Sequence, residues 1–98
     1  MKKQFMVEFE LPDPFPMEFI KRIPEQRNTV NYLLAEGKIK SYSLALDRSV
    51  LWVIFLADSE FEVMETIANF PLAEWMTPYI SELMFHNTSE MVLQFSLN

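Results

Sequence analysis

The chain has 98 residues, half of them hydrophobic and 14% aromatic, which predicts one domain over residues 1–98. Its net charge of −6 repels phosphate and anionic lipid, so neither nucleic acid nor a membrane surface is an expected partner. One glycine, no cysteine and one histidine exclude phosphate-binding glycine loops, thiol chemistry and the usual zinc sites, and no cofactor or metal is predicted.

The N-terminal half predicts a strand followed by a helix. Apolar residues alternate over Gln4–Glu10, as in a strand with one buried face. Prolines keep residues 13–16 extended, and an amphipathic helix is predicted over Met17–Glu36, ended by Gly37. Pro24 lies inside this helix, so we expect either a kink or two helical pieces.

Two strands and a second helix come next. Ile39–Leu46 alternates, a turn is predicted at residues 47–49, and Val50–Ala57 is apolar on both faces. Ser59 and Glu62 form a capping box that begins a helix. The predicted buried stripe of that helix consists of Phe61, Met64, Ile67 and Ala68.

The chain then predicts two more strands, Tyr79–His86 and residues 91–97. The order resembles the α+β ferredoxin-like βαββαβ fold, in which an antiparallel four-stranded sheet carries both helices on one face. Leu51 or Trp52 would then be exposed on the other face, a patch that soluble monomers rarely show. We therefore expect a homodimer in which two sheets enclose a barrel and the fifth strand pairs with the partner.

The absence of an export signal favours a cytoplasmic protein. Glu8 and Glu10 interrupt the apolar run that follows Met1, and no stretch approaches the roughly 18 apolar residues needed to span a bilayer.

The second half of the chain is similar to the muconolactone isomerase family. That family carries a Leu-Pro-Leu-Phe-Pro-Tyr-Met segment followed by a Leu-x-Arg-His-Pro-Ser ending. The matching residues here are Asn69-Phe70-Pro71-Leu72, Met76, Leu83, His86 and Asn87-Thr88-Ser89. In the first half, Leu11-Pro12 and Glu36-Gly37 also agree.

The resemblance implies a cofactor-free, metal-free dimeric α+β barrel, often assembled into rings, that moves a proton in a lactone. Of the family's polar residues, His86 and the basic character of Lys40 are retained. The family's basic positions are occupied by Met6, Leu44 and Phe85, its second-strand histidine by Ser41, and polar third-strand positions by Leu51 and Val53.

His86 is the candidate catalytic residue, because its ordinary pKa lies near neutrality. Its alternative role is to cap the end of the fourth strand. Glu82 shares a strand face with His86, and Glu8 would join that face if Phe5, Val7 and Phe9 face the helices. These two carboxylates would contact substrate, or else lie solvated at the barrel mouths.

Three further residues are candidates for substrate binding. Ser41 and Ser43 are small enough to form the floor of a pocket, or belong to an ordinary half-exposed edge strand. Phe55 belongs to an aromatic and methionine-rich set that forms either a ligand box or the core and dimer interface.

Two functions follow from these residues. One is a cofactor-independent isomerase that moves a proton through His86 in a small lactone or carbonyl compound. The other is a non-catalytic module for small-molecule binding or assembly that has lost the family's polar site.

Overall fold

A computed structural model of the chain describes residues 2–89. The elements are β1 (Lys3–Glu10), α1 (Met17–Ala35), β2 (Ile39–Leu44), β3 (Val50–Ala57), α2 (Glu60–Ala68), a short 3-10 turn (Ala73–Trp75) and β4 (Thr77–Glu82). All neighbouring strands are antiparallel, in the order β2-β3-β1-β4. This is the predicted ferredoxin-like α+β arrangement.

One face of the sheet packs against both helices and forms the core. Phe5, Val7 and Phe9 of β1 are fully buried and pair with Phe55, Val53 and Leu51 of β3. The core also contains Phe19, Val30 and Leu33 from α1, and Val63 and Ile67 from α2. The period-2 alternation of β1 therefore places its phenylalanines on the helix side of the sheet.

The opposite surface of the sheet, which we call the second face, carries the alternate residues. They include Met6, Glu8, Ser41, Ser43, Trp52, Ile54, Leu56, Tyr79 and Ser81. The Trp52 indole is 39% exposed and donates a hydrogen bond to Glu8 Oε1 at 3.1 Å. The sequence expectation of an apolar residue exposed on this face is met by Trp52, whereas Leu51 faces the helices.

The first helix is continuous through Pro24, so the expectation of two helical pieces is wrong. Pro24 is exposed, and the Ile20 carbonyl that loses its helical donor lies on a residue that is also exposed. A proline on the solvent side is tolerated because water can satisfy the freed carbonyl.

The start of α2 is as predicted, but of its predicted buried stripe only Ile67 is buried, and Ala68 is exposed. Ser59 Oγ accepts from the Glu62 N–H at 3.2 Å, and Glu62 Oε2 accepts from the Asp58 N–H at 2.9 Å. Val63 and Ile67 are buried, whereas Phe61 is 72% exposed. Met64, 47% exposed, lies outside the core as well. Two sets of apolar residues have helical spacing in α2. Phe61, Met64 and Ala68 lie on the exposed side, whereas Val63 and Ile67 lie on the buried side, which continues to Phe70 beyond the helix end.

The fourth strand is shorter than predicted and does not reach His86. Its pairing with β1 runs from Glu10↔Thr77 to Phe5↔Glu82 and closes with a bond from the Leu83 N–H to the Gln4 carbonyl. In this register Lys3, the first residue of β1, lies opposite Met84, so His86 is beyond the start of β1. The predicted strand over residues 91–97 lies outside the described residues. No helix within residues 2–89 is long and apolar enough to cross a bilayer.

Candidate functional site

A cleft of about 660 Å³ lies between the N-terminal half of α1 and the β2–β3 end of the sheet. We call it the α1 cleft. Its apolar lining consists of Leu11, Phe15, Phe19, Ile20, Ile23, Leu44, Leu51, Leu72 and Met76. Its polar lining consists of Gln26, Arg27, Tyr42 and Arg48. A concave, mainly apolar cavity with a few convergent polar groups is typical of a small-molecule site.

Gln26 joins α1 to the segment that precedes β4. The side chain is 2% exposed, and its Oε1 accepts a hydrogen bond from the Leu72 backbone N–H at 3.2 Å. Because a backbone N–H requires an acceptor, this bond fixes which end of the amide is oxygen. The Nε2 atom is buried, and its contact with the Tyr42 hydroxyl, although outside ordinary hydrogen-bond geometry, lowers the pKa of Tyr42.

Tyr42 reaches the cleft because β2 contains a bulge. Ile39 pairs with Phe55 and Ser41 with Ile54, which leaves Lys40 as the extra residue. The bulge lets Ile39 and Tyr42, three residues apart, both face the helices. Burial raises the pKa of the Tyr42 hydroxyl. A hydrogen bond from the Gln26 side chain and the positive charge of Arg27 lower this pKa by smaller amounts. The hydroxyl is therefore neutral at physiological pH and can donate a hydrogen bond.

Arg48 lies in the tight turn between β2 and β3. Asp47 Oδ1 accepts hydrogen bonds from the Ser49 N–H at 3.0 Å and from Ser49 Oγ at 2.6 Å, and these bonds lower the pKa of Asp47. Arg48 itself has φ 64, in the left-handed region that glycine prefers. Its side chain lines both the α1 cleft and an adjoining hollow of about 330 Å³.

The two arginines of the cleft differ from several other cations of the chain in their pairing. Lys2, Lys3, Lys21 and Arg22 each lie within 4.0 Å of a carboxylate. Neither Arg27 nor Arg48 has a carboxylate within that distance among residues 2–89. Both are therefore available to attract a negatively charged or strongly polarised ligand oxygen.

The described lining supplies donors but no base. No Asp, Glu or His lines the α1 cleft within the described part of the chain. Over the same residues, no cluster of three or more His, Cys, Asp or Glu side chains is arranged to hold a metal ion. The arrangement can bind and polarise an oxygen acceptor, while a proton acceptor would have to come from elsewhere.

The candidate catalytic histidine lies away from this cleft. His86 is half-buried in the segment after β4, and β4 is the edge strand opposite β2. Glu82 pairs with Phe5, so it lies on the helix side of the sheet, whereas Glu8 pairs with Tyr79 on the second face. The expectation that Glu8 and Glu82 share one face is therefore wrong. Tyr79, the partner of Glu8, is three residues from Glu82, and residues an odd number apart on a strand lie on opposite sides of the sheet.

The other candidate binding residues are also outside the α1 cleft. Ser41 and Ser43 are exposed on the second face, opposite Ile54 and Trp52. Phe55 is 2% exposed, and its ring stacks on Phe70 at a centroid distance of 6.3 Å. Phe55 is a core residue in this structure. The residues of β2 that line the cleft are the large ones that alternate with the serines.

The sequence interpretation missed the four polar residues of the cleft. Gln26 occupies a helical position on the side of Val30 and Leu33, four and seven residues on, and a polar residue at that spacing is a usable signal. Leu72 and Met76, both in the motif compared above, do line the cleft. Arg48 has no corresponding signal, because a turn residue gives no indication of which cavity it borders.

Comparison with known proteins places these features in a family. The muconolactone delta-isomerase family model matches residues 4–89. A solved structure of similar fold is 5-chloro-2-hydroxyhydroquinone dehydrochlorinase from Burkholderia phenoliruptrix AC1100, in complex with 2,5-dihydroxybenzoquinone. It is 18% identical, with a TM-score of 0.60 over 89% of this chain and 97% of the other. A search of curated proteins gives no match.

Proposed function

Because the chain belongs to the muconolactone delta-isomerase family, we propose that it binds a compact, mainly apolar carbonyl or lactone compound in the α1 cleft. The observation that carries this proposal is the combination of apolar walls with four donor side chains and no acidic group in the described lining. Such a cavity favours a ligand with an apolar ring or chain and at least one acceptor oxygen.

The volume and the donors together restrict the ligand. A cavity of about 660 Å³ is at the middle of the range for small-molecule sites, roughly 300–1,000 Å³. The neutral Tyr42 hydroxyl and the cationic Arg27 and Arg48 all favour an oxygen that carries partial or full negative charge. The 2,5-dihydroxybenzoquinone bound in the dehydrochlorinase structure of similar fold is also a compact ring compound with acceptor oxygens.

Binding is tested with two probes, 2,5-dihydroxybenzoquinone and α-angelica lactone, by amide chemical-shift mapping on the labelled protein. We expect saturable shifts at Leu11, Tyr42 and Leu72, which border the cleft. Leu44→Trp should obstruct the cleft and abolish the shifts. Leu46→Trp is the matched control, because Leu46 is fully exposed and does not line the cleft. Shifts confined to other surfaces, or unaffected by Leu44→Trp, would refute the proposal.

Proton-transfer isomerisation is the second candidate, and the donor set favours it. Donors aimed at a carbonyl oxygen stabilise the enolate that forms when a neighbouring carbon loses a proton. In this mechanism a base removes that proton, the double bond shifts through the enolate, and the protonated base returns the proton to another carbon. Atoms and charge then balance without a cofactor.

His86 is the candidate base, and it lies beyond the strand edge opposite the cleft. It reaches an α1 cleft only if a second copy brings its own C-terminal segment there. Isomerisation of α-angelica lactone, followed by proton NMR, tests this step. Turnover that is unchanged in His86→Ala would exclude His86, while binding without turnover would support the non-catalytic alternative.

A homodimer is part of the same proposal. It is supported by the exposure of Trp52 on the second face, and by Met84 and Phe85, which are 96% and 74% exposed next to β4. Apolar surface of this kind favours association with a second copy. Two sheets packed through their second faces would enclose a barrel, and assembly into larger rings would use other surfaces.

A further inference from the structure

The Tyr42 hydroxyl is an uncharged polar group in the wall of the α1 cleft. The bulge at Lys40 places Tyr42 on the helix side of the sheet, where its ring packs against the core and its side chain lines the cleft. Gln26 and Arg27, which line the same cleft, are the side chains close enough to affect the ionisation of the hydroxyl. The hydroxyl therefore lies in the polar part of the cleft wall.

The orientation of the Gln26 amide is fixed before a ligand arrives. Its Oε1 accepts a hydrogen bond from the backbone N–H of Leu72, and both residues are buried. Because Leu72 belongs to the hydrophobic core, this anchor does not depend on the content of the cleft. With its oxygen held there, the amide directs Nε2, its donor end, at the Tyr42 oxygen.

These neighbours decide the direction in which Tyr42 donates. A tyrosine hydroxyl has one proton and can also accept, so an oxygen that faces an amide N–H turns its own proton elsewhere. The positive charge of Arg27 repels the proton in the same way. Gln26 Oε1 is already used by Leu72, and the described lining contains no carboxylate or histidine to receive the proton. The O–H group is therefore available to a ligand acceptor.

From this chain of contacts we propose that Tyr42 is a specificity-determining residue, whose O–H donates a hydrogen bond to the acceptor oxygen of the ligand. Gln26 is the positioning residue that holds the O–H in that direction without touching the ligand. The inference rests on the proposed function, because it names the group that recognises a carbonyl or lactone oxygen in the α1 cleft.

A fixed donor discriminates between ligands of equal size and shape. A ligand with a carbonyl oxygen replaces the water that solvates the hydroxyl, whereas a hydrocarbon displaces that water and leaves the donor unpaired. Sites built to hydrogen-bond a polar group therefore reject the analogue that lacks it much more strongly than they reject a change in apolar bulk.

The test compares acetophenone with α-methylstyrene, which have nearly the same shape and differ in carrying C=O or C=CH₂. Dissociation constants are measured by NMR titration on the wild type and on Tyr42→Phe, which keeps the ring and removes the donor. We expect the wild type to prefer acetophenone by about tenfold, and Tyr42→Phe to lose about fivefold in acetophenone affinity with no loss for α-methylstyrene, as one hydrogen bond implies. Equal affinities in the wild type, or an equal loss for both probes in Tyr42→Phe, would overturn the role of Tyr42 and leave the cleft as a binding site.

Infrared spectroscopy tests the hydrogen bond independently of affinity. The C=O stretch of acetophenone labelled with ¹³C at the carbonyl should lie at lower frequency on the wild type than on Tyr42→Phe, because a hydrogen bond to the oxygen weakens the C=O bond. The same frequency on both proteins would overturn the proposal.

Gln26→Leu tests the positioning role. It should lower the preference for acetophenone by about twofold, because the freed phenolic proton then divides between two directions in the plane of the ring. The same substitution added to Tyr42→Phe should leave the preference unchanged, which a general loosening of the core would not do. No change in the presence of Tyr42, or an equal change in both backgrounds, would overturn the role of Gln26. Failure of both probes to bind at the cleft of the wild type would overturn the proposed function as well.

Discussion

Helix α2 could bury either the side that carries Val63 or the side that carries Phe61, and these two arrangements predict opposite effects of substitution on stability. Val63 is 1% exposed and Phe61 is 72% exposed, although phenylalanine is the larger and more apolar residue. Val63→Ala should therefore destabilise the protein more than Phe61→Ala. Both substitutions introduce alanine into the same helix, so they gain similar helix propensity and form a matched pair.

The magnitude follows from the groups removed. Val63→Ala deletes two buried methyl groups, worth about 1.6 kcal/mol in transfer free energy at about 0.8 each. The residual cavity adds about 1 kcal/mol, and better helix propensity returns about 0.6. The net loss in the free energy of unfolding is about 2 kcal/mol. Phe61→Ala, at an exposed site, should stay within about 0.5 kcal/mol of the wild type.

Urea denaturation followed by circular dichroism measures both values. With an m-value of about 1–3 kcal/mol/M, Val63→Ala should lower the midpoint by about 1 M, and Phe61→Ala should leave it nearly unchanged. Each variant is measured at several protein concentrations, so that loss of self-association is separated from loss of packing. A larger drop for Phe61→Ala at all concentrations would mean that α2 packs through the other stripe.

Two further predictions concern ionisation and assembly. Because burial raises the folded-state pKa of Tyr42 above 10.0, its contribution to stability is complete below pH 10.0 and is lost as pH rises through the folded pKa. Between about pH 9 and about pH 11, the urea midpoint should therefore fall less in Tyr42→Phe than in the wild type. An equal fall in both proteins would contradict the raised pKa of Tyr42. In sedimentation at micromolar concentration we expect twice the chain mass of 11.6 kDa for the wild type and for the exposed-site control Leu46→Asp. Trp52→Asp should shift the mass toward the monomer, and a monomeric wild type would refute the homodimer.

The fold was predictable from the sequence because its signals are local and mutually consistent. Alternation in β1, the apolar run of β3 and the Ser59 cap each specify an element with a known packing requirement. The arrangement of these elements then follows from the ferredoxin-like order. Element ends were less predictable, since the register of β4 on β1 places His86 beyond the start of β1, and neither strand's own pattern contains that register.

The candidate site was largely not predictable, because it depends on which sheet face each residue occupies. Glu8 and Glu82 lie on different strands, so their relative side depends on a pairing register that neither strand's pattern contains. The bulge at Lys40 likewise decides that Tyr42 faces the helices together with Ile39. Gln26 could be flagged from helical spacing, but its hydrogen bond to the Leu72 N–H is a property of the packed structure.

If the α1 cleft binds a ligand as proposed, the left-handed backbone of Arg48 places thermal stability and ligand binding in conflict. A non-glycine residue in this region carries about 1–3 kcal/mol of conformational strain, which Arg48→Gly would relieve. The same change would remove a guanidinium from the lining of the cleft. Selection for thermal tolerance alone should therefore accept glycine at this turn, whereas selection that also requires binding of the proposed carbonyl or lactone compound should retain the arginine.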